Sequence, residues 1–156
     1  VRVMPNINAK VLMSTTSYCP NSNSTEEDCK AVEVIFGSIG SIVKIDENMF
    51  SIFGAIAGSA PAFAYLYIDA LTRAAIKAGM PRAQAEGIVA NTVLGSAKMV
   101  LESGEHPVAL IDQVCSPGGT TIEGVLTLKE YGFETAITEA IGAILEKDIL
   151  IQQRGK

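Results

Sequence analysis

Between Glu47 and Asp69 the chain carries no charged side chain for 21 residues, 48–68. As one straight helix, a run of that length could span a bilayer. It also holds Gly54 and Gly58-Ser59-Ala60-Pro61, and it ends in Tyr65 and Tyr67. Those interruptions predict a loop-broken, deeply buried segment or a subunit interface, with no membrane insertion. Composition points the same way, since 48% apolar and 19% charged residues suit a packed domain. The net charge of −5 gives no basic footprint for nucleic acid. Aromatics at 6% and the absence of tryptophan leave little to stack on bases.

Helical spacing dominates the pattern. Val1 to Asn6 reads as a strand end and a loop, because Pro5 holds Met4 extended. Val11 to Asn23 gives only strand fragments and loop. Thr25 with Asp28 forms a capping box for a helix that Gly37-Ser38 stops, and Cys29, Val32, Ile35 and Phe36 make its apolar stripe. Ile39 to Ile45 suits a short strand. Asp46 opens the next helix, and a long one is predicted from Ala60 to Ala78 with Pro61 in its first turn. Phe63, Leu66, Tyr67, Ala70, Leu71 and Ala74 are its expected buried surface. A helix after Pro81 runs to about Ser103, and His106-Pro107 caps a short one to Val114. Thr120 with Glu123 reads as a second capping box, Gly132 breaks that helix, and a last one runs from Phe133 to about Gln153.

Few catalytic devices survive this reading. Three cysteines, Cys19, Cys29 and Cys115, make no disulfide framework and suit reduced intracellular thiols. A single histidine, His106, rules out a multi-histidine metal site, so no metal is expected. Ser59 and Ser116 lack the partners of a hydrolytic triad. Neither a Gly-x-Gly-x-x-Gly turn nor a Gly-x-x-x-x-Gly-Lys loop occurs. The sharpest signal is Cys115-Ser116-Pro117-Gly118-Gly119-Thr120-Thr121 ahead of a helix. Such a turn leaves amides free at a helix N-terminus, where a carboxylate or phosphate is stabilised without any arginine. The same residue types also make an ordinary capped turn, and the two readings stand side by side. Gly58-Ser59-Ala60-Pro61 is a second turn of this kind, feeding the long helix.

These residues resemble a known family. Val1-Arg2-Val3-Met4-Pro5-Asn6, Ala57-Gly58-Ser59-Ala60-Pro61-Ala62-Phe63, Lys77-Ala78-Gly79-Met80-Pro81, Thr92 to Met99 and Asp112 to Ile122 are all similar to pyrroline-5-carboxylate reductases, in family order. The resemblance implies a mainly α fold: a helical dimerisation domain of the 6-phosphogluconate-dehydrogenase-like C-terminal type. A short strand-containing remnant of a Rossmann domain would precede it, with residues 1–45 as the remnant and 46–156 as the dimerisation and substrate-binding domain.

The implied activity is reduction of 1-pyrroline-5-carboxylate to L-proline, the last step of proline biosynthesis, by hydride from NADPH or NADH. The implied enzyme is an NAD(P)H-dependent reductase as the complete polypeptide, with most of the cofactor domain absent from this chain. Alternatives are a non-catalytic helical dimerisation module or a reductase of a different cyclic imine carboxylate. By resemblance, Ser116, Gly118, Gly119, Thr120 and Thr121 hold the substrate, and Thr121 assists protonation of the ring nitrogen. Pro5, Asn6, Gly58 and Ser59 approach the cofactor. The implied partners are a second copy through interlocked helices, a pentamer of dimers as in some relatives, and the small-molecule imine, in a cytoplasmic setting. Two departures stand out: Ile7-Asn8-Ala9 replaces the Thr-Pro-Ala usual after Asn6, and Ala60 stands where glycine is common.

Overall fold

A computed structural model describes residues 1–154. The chain is mainly helical, with a small sheet near its start. Strands β1 (Arg2–Met4), β2 (Ser14–Cys19) and β3 (Gly40–Lys44) lie in the order β1-β2-β3. β1 pairs with β2 antiparallel, Met4 opposite Ser17, and β2 pairs with β3 parallel, Tyr18 opposite Lys44. The parallel pair requires a crossover, and α1 (Glu26–Gly37) supplies it. Its capping box is present as the sequence predicts: the Thr25 side chain accepts from the Asp28 amide at 3.1 Å, and Thr25 N–H donates to the Asp28 carboxylate at 2.8 Å. Of its expected apolar stripe, Cys29, Val32 and Phe36 are half-buried while Ile35 is exposed.

β2 is one continuous strand, where the sequence suggested fragments. Its residues Ser14, Thr16 and Ser17 are fully buried although polar. Small hydroxyls fit between two flanking strands, and Ser14 Oγ lies 3.0 Å from Thr16 Oγ1. Hydropathy patterning does not detect a strand of this kind. Tyr18 is buried as well, and its hydroxyl donates to the Glu33 carboxylate on α1. That hydrogen bond, followed by burial, pushes the Tyr18 phenol up to about 12.

The uncharged run is one unbroken helical segment, which corrects the loop-broken expectation. A 3-10 turn (Glu47–Met49) leads into α2 (Phe50–Phe53), a π-helical turn (Gly54–Ser59) and α3 (Ala60–Lys77). Gly58-Ser59-Ala60-Pro61 is therefore inside a helix, and Pro61 does not stand at its free start. The π-turn is the physical reason. The Ala60 amide reaches the Ala55 carbonyl five residues back, and the wider turn takes up the proline that would break an α-helical ladder. Further helices are α4 (Arg82–Ser103), α5 (Pro107–Val114), α6 (Thr120–Glu130) and α7 (Phe133–Arg154). His106 caps α5 through Nδ1, which accepts from the Val108 amide at 3.3 Å.

Two compact units result. The first comprises Val1–Ala64 and the chain from Glu139 onward; the second comprises Tyr65–Thr138. In the first, Phe50, Ala55 and Ala57 join the strand residues in the core, and Arg2 lies 4.2 Å over the Phe50 ring while pairing with Glu47. In the second, Thr72, Ala85 and Val89 are buried and Tyr67 meets Phe133 at 6.3 Å between ring centroids. Much of the expected buried surface of α3 is open on the single chain: Leu66 is 69% exposed and Leu71 37%.

Two outcomes check this packing. Gly40 has φ +148°, and an added Cβ would fall 2.8 Å from the Ser14 carbonyl carbon and closer still to that residue's oxygen and amide. Gly40→Ala is expected to destabilise by about 3 kcal/mol or more in thermal denaturation. Gly37→Ala, where nothing lies within 4 Å, should cost nothing. In a tyrosinate absorbance titration, Glu33→Ala should bring Tyr18 down from about 12 towards 10. Because the folded phenol is raised, its stabilising effect is complete below pH 10 and is lost as pH climbs through about 12.

Candidate functional site

The loop from α5 to α6 is set by Pro117 and Gly118. Pro117 supplies the fixed φ of a turn's second residue, Gly118 takes φ +68° at the third, and the Gly119 amide donates to the Ser116 carbonyl at 3.0 Å. These are the marks of a type II turn. Gly119 is held to glycine by its neighbour, since an added Cβ would run into the Ser116 hydroxyl and stand 3.1 Å from the Ser116 carbonyl oxygen. Ser116 and Gly119 are thus packed together, and the chain leaves Gly119 extended (φ −80°, ψ 170°) straight into α6.

Gly119 is the N-cap of α6, with no side-chain capping bond. The expected Thr120–Glu123 capping box is not formed. With the turn closed on Gly119, Thr120 is already the first helical residue, one position too late to cap. The amides of Thr120, Thr121 and Ile122 consequently have no carbonyl behind them in helical register. The Thr120 and Thr121 hydroxyls also stand too near the helix start for the bond that several later helix threonines make. Thr92, Thr127 and Thr138 each donate to the carbonyl four residues earlier, at 2.8, 2.8 and 3.0 Å. For Thr121 that position is Pro117, outside the helix. Thr121 lines a cleft of about 520 Å³ within the second unit, together with Tyr67, Met99, Leu110, Val114 and Cys115 among others. Cys115, a free thiol, ends α5 and is half-buried there. Periodicity identified Tyr67, Met99 and Leu110 only as helix-packing residues; nothing in spacing announces that three helices share one cleft.

The arrangement offers one chemistry plainly. Three unpaired amides at the positive end of α6 favour an anion. An uncharged hydroxyl beside them can donate to, or accept from, a second polar atom of the same small molecule.

The other four expected site residues belong to the first unit. Pro5 is exposed, and Gly58 and Ser59 lie in the π-turn. Ser59 lines a cleft of about 250 Å³ with Arg2, Met4, Gly54 and Asp148. Asn6 is engaged at both ends of its amide: Oδ1 accepts from the Asn8 and Thr15 amides at 3.2 and 3.3 Å, and Nδ2 donates to the Ala57 carbonyl at 3.0 Å. Together with the missing Gly-rich turn, this means the residues present do not make a dinucleotide site.

Residues 47–149 match the family described as pyrroline-5-carboxylate reductase dimerisation. The pyrroline-5-carboxylate reductase of Escherichia coli K12 is 49% identical over 147 residues, which are 94% of this chain and 55% of that protein. The 1-pyrroline-5-carboxylate reductase structure from Streptococcus pyogenes superposes with a TM-score of 0.89 at 42% identity, over 94% of this chain and 56% of that one. A Plasmodium falciparum pyrroline carboxylate reductase, solved with NADP bound, gives 0.88 at 37% identity, over 93% and 59%. This chain therefore spans a little over half the length of the relatives it matches. That corrects the expectation of a reductase as the complete polypeptide: the chain is one part of such a protein, with the NAD(P)-binding region largely absent.

Proposed function

Because the chain belongs to the pyrroline-5-carboxylate reductase family through its dimerisation domain, we propose that it is the subunit-pairing and substrate-holding part of a protein that reduces 1-pyrroline-5-carboxylate to L-proline. Residues 1–45 would close the nucleotide-binding domain and residues 46–156 would form the dimerisation and substrate-binding domain. The observation that carries this reading is the uncapped start of α6, with three amides free and Thr121 lining a cleft beside them.

The substrate is a five-membered cyclic imine bearing a carboxylate. Its carboxylate is taken by the amides of Thr120, Thr121 and Ile122, held open by the Ser116–Gly119 turn. Ser116, Gly118 and Gly119 shape that turn, and the Ser116 hydroxyl lies close enough to add a further hydrogen bond. Reduction adds a hydride to the imine carbon and a proton to its nitrogen. NADPH or NADH supplies the hydride in this family, held for the most part by residues outside this chain. What this chain does is fix the ring and handle the nitrogen. A neutral imine accepts hydride poorly, so a hydroxyl donating to the nitrogen as it gains the proton lowers the barrier. Thr121 is the residue assigned to that task. Pro5, Gly58 and Ser59 are assigned to the cofactor side. The open apolar surface of α3 is assigned to a second copy of the chain, making a homodimer.

The test uses the polypeptide extended upstream by its nucleotide-binding part, assayed by NAD(P)H oxidation with 1-pyrroline-5-carboxylate. Thr121→Ala should lower kcat by about a hundredfold or more, while Thr121→Ser, which keeps the hydroxyl, should stay within a few-fold of the parent. Unchanged kcat and KM in Thr121→Ala would remove the residue from the mechanism.

A further inference from the structure

The π-turn of the long helix has a consequence at Ala57. Residue 61, which faces the Ile56 carbonyl in the five-back register of the π-turn and the Ala57 carbonyl where the helix returns to α-helical register, is a proline with no N–H. Ala57 is buried at 8% exposure, so an unmet carbonyl there would be costly. The donor comes from outside the helix, 51 positions earlier: Asn6 Nδ2 at 3.0 Å. Only one orientation of the Asn6 amide satisfies all its neighbours, because Oδ1 faces two N–H groups, of Asn8 and Thr15, while Nδ2 faces a carbonyl. The Asn6 backbone is fixed too, its N–H donating to Ser14 Oγ at 3.3 Å, and Ser14 is fully buried against Thr16. Asn6 therefore joins the end of β1, the start of β2 and the π-turn through four hydrogen bonds.

We infer that Asn6 is a positioning residue and not a cofactor ligand: its amide replaces the hydrogen bond that Pro61 cannot make, and thereby holds the Gly54–Ser59 π-turn, with Gly58 and Ser59, in place. The reading differs from the cofactor-side role that the Met-Pro-Asn resemblance implied for this residue. It rests on the cofactor-side assignment of Gly58 and Ser59 only for its bearing on activity; the clasp itself stands on geometry. A clasp makes a specific prediction that a ligand role does not. Asn6 should matter only as long as residue 61 lacks an amide.

The experiment is a double-mutant cycle on the full chain, read by amide hydrogen exchange across residues 54–60. Asn6→Ala should speed exchange there by about tenfold or more. Pro61→Ala returns an N–H that points at Ala57 in α-helical register, so Asn6→Ala should have little effect on exchange in that background. Equal effects of Asn6→Ala with and without Pro61→Ala would overturn the clasp. If Asn6→Ala alone does not fold, the double variant must fold, and its failure also overturns the proposal. Asn6→Asp separates the two ends of the amide. It should keep protection at Asn8 and Thr15 while losing it in the π-turn; protection retained in both places would count against the Ala57 contact.

In the upstream-extended polypeptide, Asn6→Ala should lower NAD(P)H oxidation and Pro61→Ala should restore it. Loss without restoration would make Asn6 a direct ligand. If the extended polypeptide has no reductase activity at all, the proposed function fails, and the exchange cycle still decides the clasp.

Discussion

An uncharged helix as long as a bilayer is thick has to be covered by something, and here the chain's own fold leaves most of it open. The segment Glu47–Lys77 is the one helix among the described residues long and apolar enough to cross a membrane by length and composition, and only 17% of its most apolar stretch is buried. Its start packs well, with Phe50, Ala55 and Ala57 in the core of the first unit. Further along, Tyr65 and Leu66 are 55% and 69% exposed. Each large side chain left in water forgoes about 1.5–3 kcal/mol. The segment falls within the part of the chain that matches a dimerisation family, which makes a second copy the natural cover.

The same helix explains why a proline and two glycines sit where hydropathy alone would place a straight span. Gly54 and Gly58 lie in a π-turn that Pro61 follows, and Asn6, just after β1, donates to the Ala57 carbonyl within it. The Ser116–Gly119 turn uses the opposite device. At α6 the amides are left without partners, because glycine takes the capping position and brings no side chain to fill them. One helix irregularity receives a hydrogen bond from elsewhere in the chain, whereas the other keeps its first amides without a capping side chain.

Much of the fold could be read from local chemistry. Thr25 with Asp28, His106-Pro107 and the glycines after the helices mark their own boundaries, because capping is a short-range effect. β2 was obscured because its buried residues are serines and threonines, whose burial depends on two neighbouring strands that sequence spacing does not reveal. Pro61 misled for a related reason. A proline is most often tolerated at a helix start, and what tolerates it here lies at Asn6, remote in sequence. At the candidate site, the turn Ser116-Pro117-Gly118-Gly119 was legible from its residue types. The capping role was misplaced by one residue, from Gly119 to Thr120, and that single position decides whether the first amides of α6 are free.

The open apolar surface of the long helix predicts that this chain pairs with itself there. Sedimentation equilibrium of the parent chain and of Leu66→Glu, each checked for helicity by circular dichroism, tests it most directly. The parent should sediment at about twice its 16.4 kDa, and Leu66→Glu should weaken pairing. A parent chain that is fully helical and monomeric at micromolar concentration would contradict the account.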